Sequence, residues 1–164
     1  MPKVLIADKL SPAAIAIFNE RGVEADVKTG LAKEELIKIV GGYDGIAIRS
    51  ATKITADVIK AAKNLKVIGR AGIGVDNVDI PAATAAGVIV MNTPFGNSIT
   101  TAEHAISLML ALARDLPAAN ASTQAGKWEK NRFMGVEIYG KVLGIIGCGN
   151  IGSIVADRDR KSVV

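Results

Sequence analysis

The strongest constraint on the fold is a repeated alternation of short apolar runs with amphipathic stretches. Val4-Leu5-Ile6-Ala7, Val23 to Val27, Gly45-Ile46-Ala47-Ile48, Leu65-Lys66-Val67-Ile68 and Val88-Ile89-Val90-Met91 read as five strands. Ser11-Pro12 supplies an N-cap and a first-turn proline for a helix that closes near Gly22. Lys33 to Val40 is a polar–apolar stretch before Gly41-Gly42, Thr55 caps a helix through Ala62, and Ile80 to Ala86 is a short helix closed by Gly87. Apolar strands separated by helices imply parallel strands covered on both faces. Ligands of such open sheets sit beyond the carboxyl ends of the strands. The loops of interest are therefore Arg49-Ser50, Arg70 to Asn77 and Asn92 to Ser98.

The texture changes past Ser98. Thr100-Thr101-Ala102-Glu103 reads as a capping box that starts a helix running to about Arg114. Ala105, Ile106, Leu108, Met109, Leu110 and Leu112 make that helix apolar on most sides, which suits a core or a subunit interface. Pro117 interrupts it, a second helix spans about Ala118 to Ala125, and Gly126 closes that one. Lys127 to Gly140 reads as a loop. Val142-Leu143-Gly144-Ile145-Ile146 then reads as a strand that enters Gly147-Cys148-Gly149-Asn150-Ile151-Gly152.

Composition removes several alternatives. With 49% hydrophobic and 22% charged residues over 164, a packed core is expected and wholesale disorder is not. No apolar run approaches the roughly 18–20 residues of a membrane helix, and no secretion segment precedes the first strand. One cysteine, Cys148, leaves no internal disulfide and no Cys-based zinc site, which fits a reducing cytoplasm. The net charge of +4 is scattered, with Arg158, Arg160 and Lys161 at the C-terminus, and aromatics reach only 4%. That composition argues against a nucleic-acid surface.

Gly147-x-Gly149-x-x-Gly152 directly follows an apolar run and opens a helix, the setting a dinucleotide turn requires. The first glycine permits the tight turn, the second lets backbone approach a pyrophosphate, and the third allows close packing of the helix. The phosphates would meet the free amides at the helix N-terminus. An ordinary βα turn is the competing reading. The acidic residue that holds the adenosine ribose belongs about 20 residues further on, whereas 12 residues follow Gly152. The nucleotide domain is therefore expected to be incomplete.

Several segments together carry a resemblance: Arg49-Ser50-Ala51-Thr52-Lys53, Gly69 to Asn77, Asn92-Thr93-Pro94 with Gly96-Asn97-Ser98, and Gly126-Lys127-Trp128-Glu129. Taken in order they resemble the NAD-dependent D-2-hydroxyacid dehydrogenases, and among these the members that act on 3-phosphoglycerate in serine biosynthesis. The resemblance covers about residues 3 to 158. It implies a flavodoxin-like open parallel α/β sheet over 1–97 as a substrate-binding domain, without the family's C-terminal return segment. The beginning of a Rossmann NAD-binding domain would occupy 98–164.

By the same resemblance, Arg49 and Ser50 lie at the substrate phosphate. The backbone of Gly72, Ile73 and Gly74 meets the substrate carboxylate, with Ile73 also touching the nicotinamide. Asn97 borders the cleft, and Lys130 reaches the neighbouring subunit's substrate from a position where many members carry Arg. Asn150 and Ile151 join Gly147, Gly149 and Gly152 at the NAD pyrophosphate. A homodimer or homotetramer through the 100–140 region is implied.

Arginine suits bidentate phosphate recognition, which supports Arg49 on chemical grounds; a solvated loop charge is the alternative. Asn97 is equally readable as a helix cap. Asp76 and Asp79 read as turn and cap residues, Trp128 as a packing anchor, and Cys148 as a filler of the glycine motif. His104 is the only histidine and reads as a helix residue. The family's catalytic Arg, Glu and His are expected beyond residue 164, so no catalytic residue and no metal ligand is assigned.

The family would continue from Ala156 with an apolar helix and a second strand. Asp157-Arg158-Asp159-Arg160-Lys161-Ser162-Val163-Val164 stands there instead. That charged ending is not expected to form the continuation. It reads as a truncation, a frameshift product or an incompletely written chain, without hydride transfer of its own. The other readings are a different D-2-hydroxyacid dehydrogenase, and a non-catalytic dimerisation or binding fragment.

Overall fold

Each of the first five apolar runs becomes a strand in the computed structural model, which describes residues 1–161. The strands are β1 (Lys3–Ile6), β2 (Glu24–Val27), β3 (Gly45–Ile48), β4 (Val67–Arg70) and β5 (Ile89–Met91). All pair in parallel, in the order β2-β1-β3-β4-β5. This is the flavodoxin-like order, with its topological switch between β1 and β3. The crossovers are α1 (Pro12–Glu20), α2 (Lys33–Val40), α3 (Ala56–Ala61) and α4 (Ile80–Ala85).

Alternation along the strands sorts the core into two layers. Leu5, Ile46, Ile48 and Ile68 join Leu36, Val40 and Val58 of α2 and α3 on one face. Val4, Ile6 and Ala47 meet Ile15 and Phe18 of α1 on the other. The expectation that both faces are covered holds for β1 and β3 and fails at β5, where Ile89 is 63% exposed and Met91 is also exposed. Within this layer of residues 1–96, α1 is the only helix on that face, and it reaches the β1 side of the sheet.

Local chemistry sets the helix ends. The Ser11 hydroxyl accepts from Ala13 N, with Pro12 in the first turn, and the Asp79 carboxylate accepts from Ala82 N. Thr55 occupies the N-cap position of α3, but its Oγ1 is buried without a hydrogen-bond partner.

The chain divides into two compact units, Met1–Gly96 and Asn97–Val164. In the second, α5 (Ser98–Ala113) starts earlier than the capping-box reading expects. Thr101 N already donates to Asn97 O, so Thr100 lies inside the helix and cannot cap it. Pro117 sits in the first turn of α6 (Leu116–Gln124), where a missing N–H costs nothing. Within the expected loop, Lys130–Phe133 forms a single 3-10 turn.

Val142–Ile146 forms no strand. A strand is made by ladder bonds to a neighbour, and among the described residues none lies beside it; Val142 is 97% exposed. The charged ending departs from expectation in the other direction. The helix α7 (Asn150–Lys161) runs through Asp157, Arg158 and Asp159, with Ile154 and Val155 half-buried. Arginine and lysine are good helix formers, and Arg158 reaches Glu103 of α5 at 3.4 Å. No second strand occurs among the described residues. Ser162, Val163 and Val164 of the predicted ending lie outside them.

Candidate active-site loops and the glycine turn

The carboxyl ends of β1, β3, β4 and β5 deliver the loops that carry the chemistry. Arg49 and Ser50 leave β3 with exposed side chains. Their loop is held from below by Asp8, which follows β1 and is 6% exposed. Asp8 Oδ2 accepts from Arg49 N at 2.6 Å and Thr52 N at 3.2 Å, and Oδ1 accepts from Thr52 Oγ1 at 2.8 Å. From the β4 side, Asn77 Nδ2 donates to Arg49 O at 2.7 Å and Thr52 O at 2.6 Å.

The Gly72-Ile73-Gly74 turn is fastened to its neighbours by main-chain bonds. Ala71 N donates to Ile48 O at 2.9 Å and Thr93 N to Gly72 O at 2.9 Å, while Asn92 Nδ2 donates to Ile73 O at 2.6 Å. Arg70 packs beneath it. A Cβ on Gly72 would meet the guanidinium end of Arg70, so any larger residue there requires that side chain to move aside. Arg70 Nε is buried with no hydrogen-bond partner. The structure thus brings Arg49, Ser50, Gly72, Ile73 and Gly74 onto adjacent strand ends, a cationic rim beside a glycine turn. Such a rim suits a phosphorylated carboxylate.

The remaining expected site residues belong to the second unit. Asn97 sits at the N-cap position of α5, but its exposed side chain makes no cap hydrogen bond. Lys130 opens the 3-10 turn and is exposed. That turn is tied down by Glu129, whose carboxyl accepts from Ser122 Oγ at 2.6 Å and is held below its ordinary range, first by that bond and then by Arg132. Trp128 is not the packing anchor expected of it: it is 85% exposed, with the anchoring done by Glu129. His104 is exposed on α5 and Cys148 is exposed in the glycine turn.

The glycine turn has the geometry that its sequence requires. Gly147 adopts φ +94°, a conformation other residues rarely take, and a Cβ on Gly152 would collide with the Gly147 carbonyl oxygen. Gly149 faces open space, and Asn150 begins α7. These features fit the pyrophosphate half of a dinucleotide. No group of His, Cys, Asp and Glu among the described residues is arranged to hold a metal ion.

Sequence reasoning missed Asp8, Thr52, Arg70 and Asn77 as parts of this arrangement. An acidic residue immediately after a buried strand was the available signal for Asp8. A cavity of about 370 Å³ between α5 and α6, lined by Leu108, Ala111, Leu112, Asp115, Pro117 and Ala118, is apolar and carries none of this chemistry.

Residues 4–156 match the sequence profile of the D-isomer specific 2-hydroxyacid dehydrogenase catalytic domain. The chain is 56% identical over 156 residues to D-3-phosphoglycerate dehydrogenase of Archaeoglobus fulgidus, covering 95% of this chain and 30% of that protein. The human D-3-phosphoglycerate dehydrogenase is 53% identical, with 95% and 29% covered. Among solved structures, a protein of Thermus thermophilus superposes with a TM-score of 0.88 at 36% identity, covering 97% of this chain and 53% of that one. The NAD⁺-bound 3-phosphoglycerate dehydrogenase of Entamoeba histolytica gives 0.78 at 30% identity, with 98% and 51% covered. The chain thus spans about 30% of the length of these curated relatives and about half of these solved chains. On the match over residues 4–156, the chain belongs to the D-isomer-specific 2-hydroxyacid dehydrogenases.

Proposed function

We propose that these residues serve an NAD-dependent oxidation of 3-phosphoglycerate. Residues 1–97 would bind the substrate and residues 98–164 would begin the nucleotide-binding domain. The observation that carries this reading is the fixed loop that presents Arg49 and Ser50 beside the Gly72–Gly74 turn. Arg49 and Ser50 engage the phosphate, where a guanidinium and a hydroxyl supply charge-assisted donors. The Gly72-Ile73-Gly74 backbone orients the carboxylate, Ile73 borders the nicotinamide, and Asn97 closes the edge of the cleft. Lys130 reaches the substrate of a second copy.

The positive φ of Gly147, the close approach at Gly152 and the open side of Gly149 support pyrophosphate binding by Gly147, Gly149, Asn150, Ile151 and Gly152. NAD, when bound, supplies the hydride acceptor at C4 of its nicotinamide. Hydroxyl deprotonation and carboxylate orientation are assigned to the family's Arg, Glu and His. His104, exposed on α5, is not a counterpart, and we propose that the 164 residues alone bind ligand without turnover. The exposed apolar side of α5, with Leu112 81% exposed, favours pairing of two copies through the 100–140 region. The exposed single thiol suits a cytoplasmic setting, and no helix among the described residues is long and apolar enough to cross a membrane.

Calorimetric titration of the chain separates this reading from its rivals. 3-Phosphoglycerate binds at least about tenfold more tightly than glycerate, and Arg49→Ala removes that advantage, since a lost charge-assisted bond weakens binding about that much. Equal binding of the two ligands would point to a different 2-hydroxy acid. Heat released by neither, with a mass that doubles on concentration, would favour the non-catalytic pairing fragment.

A further inference from the structure

Two side chains grip the same two residues of the phosphate loop with opposite polarities. Asp8 takes the N–H groups of Arg49 and Thr52 together with the Thr52 hydroxyl. Asn77 gives its amide hydrogens to the carbonyls of Arg49 and Thr52. Every main-chain polar group of Arg49 and Thr52 is thereby engaged, and the intervening Ser50-Ala51 is left as a short arch with both feet fixed. Asn77 is itself locked in place, because its carbonyl accepts from Ile54 N at 2.8 Å and Ile54 O in turn accepts from Asp79 N at 2.8 Å. The Asn77 Oδ1 atom is buried with no partner. The amide thus keeps an unsatisfied oxygen while its nitrogen serves the two loop carbonyls.

The placement of Asp8 is electrostatically perverse for a mere anion site. A buried carboxylate with no ion-pair partner among the described residues sits directly beneath a loop that offers Arg49 to a phosphate. Its field opposes the ligand. Its worth must therefore lie in geometry: three donors converge on it, and they fix where the β3–α3 loop leaves the sheet. We infer that Asp8 and Asn77 are positioning residues that hold the Arg49–Thr52 arch in its ligand-binding shape. This rests on the phosphate reading of Arg49 and adds to it the device that presents that residue.

The inference separates geometry from charge. Asn at position 8 can repeat the contacts. Its oxygen accepts the two N–H groups, and its NH₂ donates to Thr52 Oγ1 while that hydroxyl turns to Ala7 O, already 3.3 Å away. Asp8→Asn therefore keeps the arch and removes the opposing charge. Asp8→Ala and Asn77→Ala each release it.

The test uses the full chain, with calorimetric titration of 3-phosphoglycerate and of glycerate, and amide exchange followed by NMR without ligand. Asp8→Ala and Asn77→Ala weaken 3-phosphoglycerate by about tenfold or more, the scale of a misplaced binding group, and leave glycerate unchanged. Asp8→Asn binds phosphoglycerate at least as tightly as the native chain. On an Arg49→Ala background, Asp8→Ala adds a smaller loss than on the native background, because only the Ser50 hydroxyl is left for the released arch to misplace. Exchange rises at Arg49 and Thr52 in the alanine variants, while Ile46 and Ile68 stay protected, so a folded core is verified in the same sample. Asn77→Ala keeps the three donors on Asp8 and serves if Asp8→Ala does not fold. Native affinity in Asn77→Ala, or an Asp8→Asn variant as weak as Asp8→Ala, would overturn the inference while Arg49→Ala still weakened binding. An Arg49→Ala chain with native affinity would instead overturn the phosphate reading and, with it, the positioning role.

Discussion

The two halves of the chain spend similar apolar side chains in opposite ways. Residues 1–96 close five strands and four helices around Leu5, Ile46, Ile48, Ile54, Val58 and Ile68, all almost fully buried. In residues 97–161, Ala102 is the only buried apolar side chain among those described, and Leu108, Leu112, Trp128, Tyr139, Val142 and Ile146 are exposed. The contrast lies in layers, not in composition. A parallel sheet with helices on it buries each element against two others, whereas the second unit contains no strand among its described residues. Apolar sequence alone does not make a core; a second layer does.

A matched pair of substitutions separates the two halves most strongly. Leu5→Ala empties space in the centre of the sheet and costs about 2–5 kcal/mol in urea unfolding followed by circular dichroism. Leu112→Ala, at an exposed site, changes stability by about 0.5 kcal/mol or less in dilute solution. If Leu112→Ala proved as damaging as Leu5→Ala, the α5 face would be covered in solution, and the contrast between the halves would belong to the single chain only.

A smaller effect is expected at an ion pair of the first half. The Tyr43 hydroxyl donates to Asp26 Oδ2 at 2.5 Å, and Lys28 lies 3.0 Å from the same oxygen. The Tyr43 bond first, and Lys28 second, hold the Asp26 carboxyl below its ordinary range. A carboxyl depressed in the folded state adds stability above its unfolded value, near pH 3.9, and that increment disappears as pH falls through the depressed value. Asp26→Asn should therefore flatten the acid side of the stability profile and lower stability slightly at neutral pH. Melting temperatures at stepped pH check it, and an unchanged acid limb would contradict it.

The fold was legible where one rule decided the outcome. Val4–Ala7 and Gly45–Ile48 announced their strands because parallel strands buried on both sides have no polar alternation to obscure them, whereas β2 alternates polar and apolar residues and β5 leaves Ile89 exposed. Ser11-Pro12 and Asp79 marked helix starts by chemistry that acts within three residues. What failed depended on neighbours. Val142–Ile146 is as apolar as any strand of the sheet, yet without a flanking strand it has nothing to pair with. Thr100 offered a capping box, but Asn97 and Ser98 had already begun the helix.

The site divides in the same way. Arg49 and the Gly147 turn could be read from local pattern and from resemblance. Asp8, an acidic residue just after a buried strand, and Asn77, the end of a loop of interest, could be noticed, but what they hold could not, since their bonds span 41 to 44 and 25 to 28 residues. Arg70 lay inside a segment already singled out, but its packing against Gly72 is a tertiary fact.

On the proposed function, the two halves offer different ligand surfaces: a phosphate-binding arch on 1–96 and a dinucleotide turn on 97–161. The most direct test is an ¹H–¹⁵N chemical-shift titration of the chain with 3-phosphoglycerate and, separately, with NAD. Saturable shifts are expected at Arg49 to Thr52 and Gly72 to Gly74 with phosphoglycerate, and at Gly147 to Gly152 with NAD. Saturable phosphoglycerate shifts that avoid the β3 and β4 loops, or none at all, would contradict that function.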